Sequence, residues 1–188
     1  MAVIHHTATM RPSKLELLAR WLPEQPWFPG PVDGLTKAGG FRLDDPAGAV
    51  GIEFMVVLAA DGQAFLVPMT YRGAPLDGAA AALIGTAEHG ALGSRWIYDG
   101  ERDPVLRVQL AALLRGEVLA QAQSESDTLD PTVHVRPAES VRSVQLRRLL
   151  AEDETPPAGP AGYVSAPWRG LDGSTTRGIV AVADPRRD

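Results

Sequence analysis

Residues 52–71 have the sequence IEFMVVLAADGQAFLVPMTY, in which two apolar segments flank a short polar turn. Residues 52–60 are apolar and rich in β-branched side chains, a pattern that favours a buried strand. The pair Asp61-Gly62 is typical of a type I′ turn, because glycine adopts a positive φ at low cost. Residues 63–71 supply the return strand. The stretch therefore predicts an antiparallel β-hairpin.

Further strands are indicated on both sides of this hairpin. Near the C-terminus, residues 163–169 are predicted to pair with residues 175–183 across a turn that contains Asp172-Gly173. Pro68 has no N–H to donate, so we expect the far end of the first hairpin to lie at a sheet edge or a bulge. Shorter strands are predicted at residues 95–98, 132–135 and 144–146.

The first helix is predicted over residues 14–22. Ser13 and Glu16 have the spacing of a capping box, in which each side chain satisfies a free backbone N–H at the helix start. Pro23 ends the helix because it cannot continue the hydrogen-bonding pattern. Residues 31–40 are rich in glycine, and we expect them to be irregular.

The second helix is predicted to begin with Asp103 as N-cap and Pro104 at the first helical position. Leucines recur at helical spacing and form one apolar stripe: Leu106, Leu110, Leu113 and Leu114. We expect this helix to continue across Gly116 to about residue 121.

These elements predict an α+β fold, in which an antiparallel β-sheet packs against one or two main helices, with an additional C-terminal β-hairpin. The domain organisation expected is one α+β domain over residues 1–151, a Pro- and Gly-rich linker or loop over residues 152–162, and the C-terminal hairpin extension over residues 163–188, packed on the same domain.

Composition excludes several classes of protein. The chain has 188 residues, a net charge of −5 and no cysteine, so disulfides and thiolate zinc sites are absent. The net charge argues against a nucleic-acid partner, which needs a concentrated basic surface. The start of the chain lacks the features of a secretory signal, and no apolar run is long enough to cross a membrane. We therefore expect a cytoplasmic protein with no membrane association.

Motifs of known catalytic machinery are missing. The sequence has no G-x-x-x-x-G-K-[ST], no G-x-G-x-x-G and no G-x-S-x-G. None of the four histidines (His5, His6, His89 and His134) is followed by an aspartate within two residues, as a kinase catalytic loop would require. The histidines also lack the spacing of metal ligands. We expect no catalytic residue, no metal site and no cofactor.

Residues Arg95, Trp96, Tyr98 and Asp99 form the best candidate ligand-binding surface. Aromatic rings beside charged groups can stack on sugar faces and bind their hydroxyls. Structural roles are the alternative: Trp96 and Tyr98 share one face of a strand and would be core residues, and Asp99 would serve a turn.

The chain resembles the N-terminal cap domain of maltokinases and related actinobacterial aminosugar kinases. The resemblance extends over about residues 13–150. It is carried by Trp21-Leu22, the loop QPWFPG (25–30), the hairpin 51–71, ALIGT (82–86), WIYD (96–99) and the helix 104–115.

In those kinases the cap is a cystatin-like unit that precedes the ATP-binding and catalytic lobes, and maltokinase makes maltose 1-phosphate for α-glucan (glycogen) synthesis from trehalose. Because the sequence ends at Asp188, before a catalytic lobe would begin, the resemblance implies a free-standing, non-catalytic accessory protein. Its partner would be an enzyme of trehalose, maltose or α-glucan metabolism, or a second copy of itself. The alternative hypothesis is a small carbohydrate-binding protein, or an enzyme acting on α-glucans or their sugar phosphates.

Overall fold

The computed structural model of the chain describes residues 10–125, 127–152, 154–156 and 161–184. Within these residues the chain forms twelve strands, two α-helices and three short 3₁₀ turns. The strands are β1 (Met10–Arg11), β2 (Thr36–Leu43), β3 (Val50–Leu58), β4 (Ala64–Arg72), β5 (Leu83–His89), β6 (Gly93–Asp99), β7 (Gln121–Ala122), β8 (His134–Arg136), β9 (Ser143–Leu146), β10 (Leu149–Leu150), β11 (Tyr163–Arg169) and β12 (Thr175–Asp184). The helices are α1 (Lys14–Trp21) and α2 (Pro104–Leu114).

All strands belong to one antiparallel sheet, with the order β1-β5-β6-β4-β3-β2-β11-β12-β9. The short strands β10, β7 and β8 pair with β4, β2 and β11. The predicted α+β class is therefore confirmed. The C-terminal hairpin β11–β12 joins the main sheet through β2, where Trp168 pairs with Gly39.

The hairpin β3–β4 confirms the prediction from residues 52–71, and its register runs without a break from Val50 opposite Arg72 to Leu58 opposite Ala64. The sheet is covered on both sides here, which explains why β3 has a nearly continuous apolar sequence. Phe54 and its even-numbered neighbours face one core, while Met55 and its odd-numbered neighbours face the other.

Helix α1 covers one face of the sheet. Its buried side chains, including Leu18 and Trp21, pack with Met55 and Phe65 from the central hairpin. The predicted capping box is present: the Glu16 N–H donates to Ser13 Oγ at 3.3 Å, and the Ser13 N–H donates to Glu16 Oε2 at 2.7 Å.

Helix α2 covers the opposite face. Leu106 and Leu113 pack with Phe54 and with residues of the C-terminal hairpin such as Val164. Phe41 and Phe54 stack in this core, with ring centroids 4.6 Å apart. Both helices therefore contact the same sheet from opposite sides.

The expected extension of α2 to residue 121 is wrong, because the helix ends at Leu114. Gly116 adopts a φ of +73°, and its N–H donates to the Leu113 carbonyl. The Glu117 N–H donates to the Ala112 carbonyl. This is a Schellman motif, in which a left-handed glycine satisfies the last carbonyls and terminates the helix.

Residues 31–40 are also more ordered than expected, since β2 begins at Thr36 and pairs with β3 along its length. The glycines allow close approach of neighbouring strands. A Cβ on Gly39 would lie 3.0 Å from the Pro167 carbonyl oxygen, and one on Gly40 would lie 2.1 Å from the Phe54 carbonyl oxygen.

Pro68 lies neither at a sheet edge nor at a bulge. Strand β4 pairs with β3 on one side, and on the other side with β10 at residues 64–65 and with β6 at residues 69–72. The Leu66 N–H points to this second side and donates to the Arg148 carbonyl. Because backbone N–H groups alternate along a strand, the nitrogen of Pro68 points to the same side as that of Leu66. There it lies in the gap between β10 and β6, so the missing N–H costs no hydrogen bond between strands.

Among the residues described, no helix is long and apolar enough to cross a membrane. The histidines His5 and His6 fall outside the described residues, as do parts of the predicted 152–162 linker.

Candidate functional site

Strand β6 carries the four residues predicted to bind a ligand, but it distributes them over two faces. Ile97 packs in the α1-side core. Because side chains alternate along a strand, Arg95 and Asp99 share the face of Ile97, whereas Trp96 and Tyr98 face the α2 side. The strand therefore brings them together in pairs and not as one group of four.

Tyr98 and Asp99 are buried and have partners within the chain. The Leu76 N–H donates to Tyr98 Oη at 2.9 Å. Arg148 Nη2 donates to both oxygens of Asp99 at 2.7 Å and to Glu101 at 2.7 Å. Asp99 also accepts a hydrogen bond from the Glu101 N–H at 3.3 Å, and so serves the turn after β6 as predicted.

The Arg148 guanidinium extends this network to an aromatic cluster. It lies over the ring of Trp27, 4.8 Å from the centroid. Trp27 in turn contacts Trp21 and Phe65, with ring centroids 5.8 and 6.5 Å apart. Asp99 therefore helps to join β6, the chain before β10 and the loop after α1.

Arg95 and Trp96 are half-buried. The Arg95 guanidinium lies close to the backbone of Gly73, where an added Cβ would be 2.7 Å from Nη1. Trp96 stands between Arg72 of β4 and Thr86 of β5 in the sheet register. Of the two aromatic residues in the predicted set, Trp96 is the one that is not fully buried.

On the same face as Trp96, an ion pair joins β4 to the start of α2. Arg72 donates from Nε and Nη2 to the two oxygens of Asp103, both at 2.7 Å, and Thr70 Oγ1 donates to Asp103 at 2.8 Å. Asp103 also caps the helix by accepting from the Val105 N–H. Burial acts to raise the pKa of Asp103, but the hydrogen bonds from Arg72 and Thr70 outweigh it, and the pKa lies below its ordinary value.

A second polar cluster, which the sequence analysis did not predict, surrounds Glu53 on the α1 side. Lys14 Nζ lies 2.6 Å from Glu53 Oε2, and Gln123 Nε2 donates to Glu53 Oε1 at 2.7 Å. Tyr71 also donates its hydroxyl to this carboxylate. Lys37 adds a further positive charge nearby, so both lysines of the chain act on Glu53. One feature of the sequence could have indicated this cluster: Glu53 is the only charged residue in the apolar stretch 52–60.

Charge and burial act against each other at Glu53. Burial favours the neutral acid, but the Lys14 ammonium and the hydrogen bonds from Lys14 and Tyr71 favour the carboxylate, and the pKa of Glu53 is lowered. Burial and the neighbouring Glu53 charge raise the pKa of Tyr71 well above its ordinary value. The cluster therefore holds an ionised carboxylate and a neutral phenol, and its contacts tie α1 to the sheet.

A cleft of about 590 Å³ lies between α2 and β9. Its apolar lining includes Leu106, Leu110, Ala111, Val141, Val144 and Leu146. Three arginines also line it: Arg102, Arg107 and Arg142. Sequence reasoning missed the cleft because its two walls come from distant segments. In the part of the chain that the structure describes, no three His, Cys, Asp or Glu side chains are grouped so that they could hold a metal ion.

The fold and its contacts define an antiparallel α+β domain whose sheet is covered by one helix on each face. Residues 21–103 of the chain match the family model of the maltokinase N-terminal cap domain. The match begins at the last residue of α1, includes β2 to β6 and ends at the N-cap of α2. The resemblance to the cap is confirmed for this segment, while residues 13–20 and 104–150 lie outside the match. No curated protein and no solved structure matches the chain.

Proposed function

We propose that this protein is a cap-like, non-catalytic accessory module that docks on an enzyme of trehalose, maltose or α-glucan metabolism, in the cytoplasm. The observation that carries the proposal is the match of residues 21–103 to the maltokinase N-terminal cap domain. A cap domain works beside a catalytic domain, so the natural partner of this module is a catalytic unit of the same area of metabolism.

The contacts of the polar side chains on β6 and β3 also support a binding module over a catalytic site. Tyr98 and Asp99 are satisfied by Leu76 and Arg148, and Glu53 is satisfied by Lys14. Groups that already have such partners are held in place and serve to stabilise the sheet and its helices. Among the residues that the structure describes, β1 and β9 are the edge strands of the sheet, and an extended segment of a partner can add to an edge strand.

The test is affinity capture from native lysate with the full chain as bait, followed by identification of the retained proteins and light scattering of the purified chain. The proposal predicts enrichment of a carbohydrate-metabolism enzyme, or a self-associated form of the chain. A monomer that retains no such enzyme would contradict it. Adjacent genes for trehalose synthase, a maltosyltransferase or a branching enzyme would give independent support.

A second candidate function is carbohydrate binding on β6, with Arg95, Trp96, Tyr98 and Asp99 as the residues involved. The incomplete burial of Trp96 favours it, because an aromatic residue on a sheet face can stack on a sugar. Thermal-shift measurements with maltose, trehalose, maltooligosaccharides, sugar phosphates and ATP test this function. A sugar that binds the native state raises the melting temperature, and Trp96→Ala should abolish the shift. A flat profile would exclude it.

For the domain organisation, we propose that residues 1–151 form the cap-like unit and that residues 163–188 extend it, joined by the segment 152–162. Pairing of β11 with β2 and burial of Val164 and Trp168 in the α2-side core support an extension that packs on the same unit.

A further inference from the structure

The cleft between α2 and β9 combines an apolar floor with an open mouth. Leu106 and Leu110 are buried at its base. Val108 lines the cleft with 60% of its surface exposed, although most of the apolar residues of its helix are buried. Covering such aliphatic surface stabilises a complex, at about 25 cal/mol for each Å² removed from water.

The charges around the cleft are positive. Arg102, Arg107 and Arg142 are exposed, and none of them forms an ion pair with a carboxylate among the residues described. The remaining charged residue in the lining, Glu101, is already bound by Arg148. Three arginines in one cleft of a chain with a net charge of −5 mark a local surface suited to an anionic partner.

One wall of the cleft is the last strand of the sheet. Strand β9 pairs with β12, and within the described ranges no strand pairs with its other edge. An edge strand can accept an extended segment by backbone hydrogen bonds, while alternate side chains of that segment enter a neighbouring pocket. The walls of the cleft therefore suit a polypeptide in extended form.

The lining disfavours a sugar or a small anion as occupant. Among the described residues that line the cleft, none is aromatic, so none of them offers a ring on which a sugar could stack. Most of its lining is aliphatic, whereas a phosphate or sulfate would gain nothing from aliphatic surface. An acidic segment with bulky apolar side chains would use both parts of the site.

We propose that the α2–β9 cleft binds an extended acidic segment of a protein partner. Apolar side chains of the segment lie on the exposed Val108 and on the partly exposed Val144 and Leu146. Its Asp or Glu residues pair with Arg102, Arg107 and Arg142. This inference rests on the proposed function, for which it supplies the docking surface. The cleft lies almost wholly outside the segment that matches the maltokinase cap, so it provides a surface particular to this chain.

The test is selection of a random linear peptide library on the immobilised full chain, followed by fluorescence anisotropy of a labelled, selected peptide. We expect the selected peptides to contain acidic residues beside aliphatic or aromatic ones. Arg107→Glu/Arg142→Glu should weaken binding about tenfold, because it replaces two attractive charges with repulsive ones. The control Arg20→Glu/Arg169→Glu changes the net charge equally, at exposed arginines away from the cleft, and should bind as the unmodified chain does.

A second pair of variants tests the exposed apolar surface of the cleft. Val108→Asp should abolish binding, while Leu171→Asp, at a leucine that is 59% exposed and outside the cleft, should leave it unchanged. Circular dichroism of every variant checks that the fold is intact.

The possible outcomes separate the two proposals. Peptides without acidic enrichment, equal loss in the cleft and control variants, or full competition by inorganic phosphate would each overturn the cleft proposal. Acidic peptides that bind through the cleft, together with affinity capture that retains no carbohydrate enzyme, would instead support the cleft and contradict the proposed pathway.

Discussion

Lys14 Nζ at the start of α1 lies 2.6 Å from Glu53 Oε2 in the middle of the sheet. The Glu53 side chain is 4% exposed, whereas Lys14 is 36% exposed. The pair therefore has one end in the protein interior and the other near water. It fixes the first turn of α1 over β3, next to Tyr71, whose ring lies 5.3 Å from the ammonium.

Replacing Lys14 should destabilise the fold more than its surface position suggests. In Lys14→Met the buried carboxylate of Glu53 loses its cation, and we expect a loss of about 2 kcal/mol in the free energy of unfolding, measured by urea denaturation. Lys37→Met is the matched control, because Lys37 makes no ion pair with Glu53 among the described contacts. Equal effects of the two substitutions would show that the contact itself contributes little.

Acid should weaken the native state through Glu53 and Asp103. The pKa values of both carboxyls are lower in the folded protein than their ordinary values. Their contribution to stability is therefore present above the unfolded pKa, near 4, and is lost as the pH falls through the folded pKa. Urea denaturation between about pH 6 and pH 3 should show this fall, and Asp103→Asn should reduce its slope. If stability depends on pH equally in the variant and the unmodified chain, Asp103 does not contribute to the acid sensitivity.

Asp103 has two tasks, and two substitutions separate them. Asp103→Asn retains an acceptor for the Val105 N–H but removes the charge that pairs with Arg72. Asp103→Ala removes both. We expect losses of about 2 kcal/mol for Asn and about 3 kcal/mol for Ala, measured by thermal or urea unfolding.

Asp172 provides the comparison for this series. It also accepts a backbone N–H two residues on, but it is exposed and lies in a turn. Asp172→Ala should cost much less than Asp103→Ala, because substitutions at exposed sites change stability little. If its cost equals that of Asp103→Ala, the ion pair with Arg72 does not stabilise the fold.

Gly40 should tolerate no side chain. Its φ is +134°, and a Cβ would lie 2.1 Å from the Phe54 carbonyl oxygen. Gly40→Ala should therefore cost about 3 kcal/mol or more, since both backbone strain and overpacking contribute. Gly48 also has a positive φ, +68°, but has nothing within 4 Å of the Cβ position. Gly48→Ala should cost about 1 kcal/mol, and a difference near zero between the two would contradict the crowding at Gly40.

Local rules predicted the elements whose structure is decided by neighbouring residues. Asp61-Gly62 placed the first hairpin, and Ser13 with Glu16 placed the start of α1. The same rules failed where distant segments meet. Gly39 and Gly40 suggested irregular chain, but they permit β2 to lie close to β11 and β3. Propensity and spacing place Gly116 inside a helix, but its left-handed conformation ends α2 just before it.

The functional residues divide in the same way. Alternation along β6 allowed Trp96 and Tyr98 to be assigned to one face. It could not reveal the partner of Asp99, because Arg148 lies 49 residues further along the chain. Lys14 and Gln123 meet at Glu53 only because the sheet brings α1 and the chain after β7 to the same strand. The α2–β9 cleft depends likewise on two segments that share no local pattern.

The contact between Trp168 and Gly39 has a consequence for how the chain reaches its native state. It joins segments separated by most of the sequence, and Trp168 and Val164 fill the core beneath α2. During synthesis, β2 to β6 and α2 emerge before β11 does, so part of the α2-side apolar surface stays exposed to solvent until the β11–β12 hairpin has been made. Folding of this domain should therefore be slow for its size and should be completed only after β11 and β12 have been synthesised.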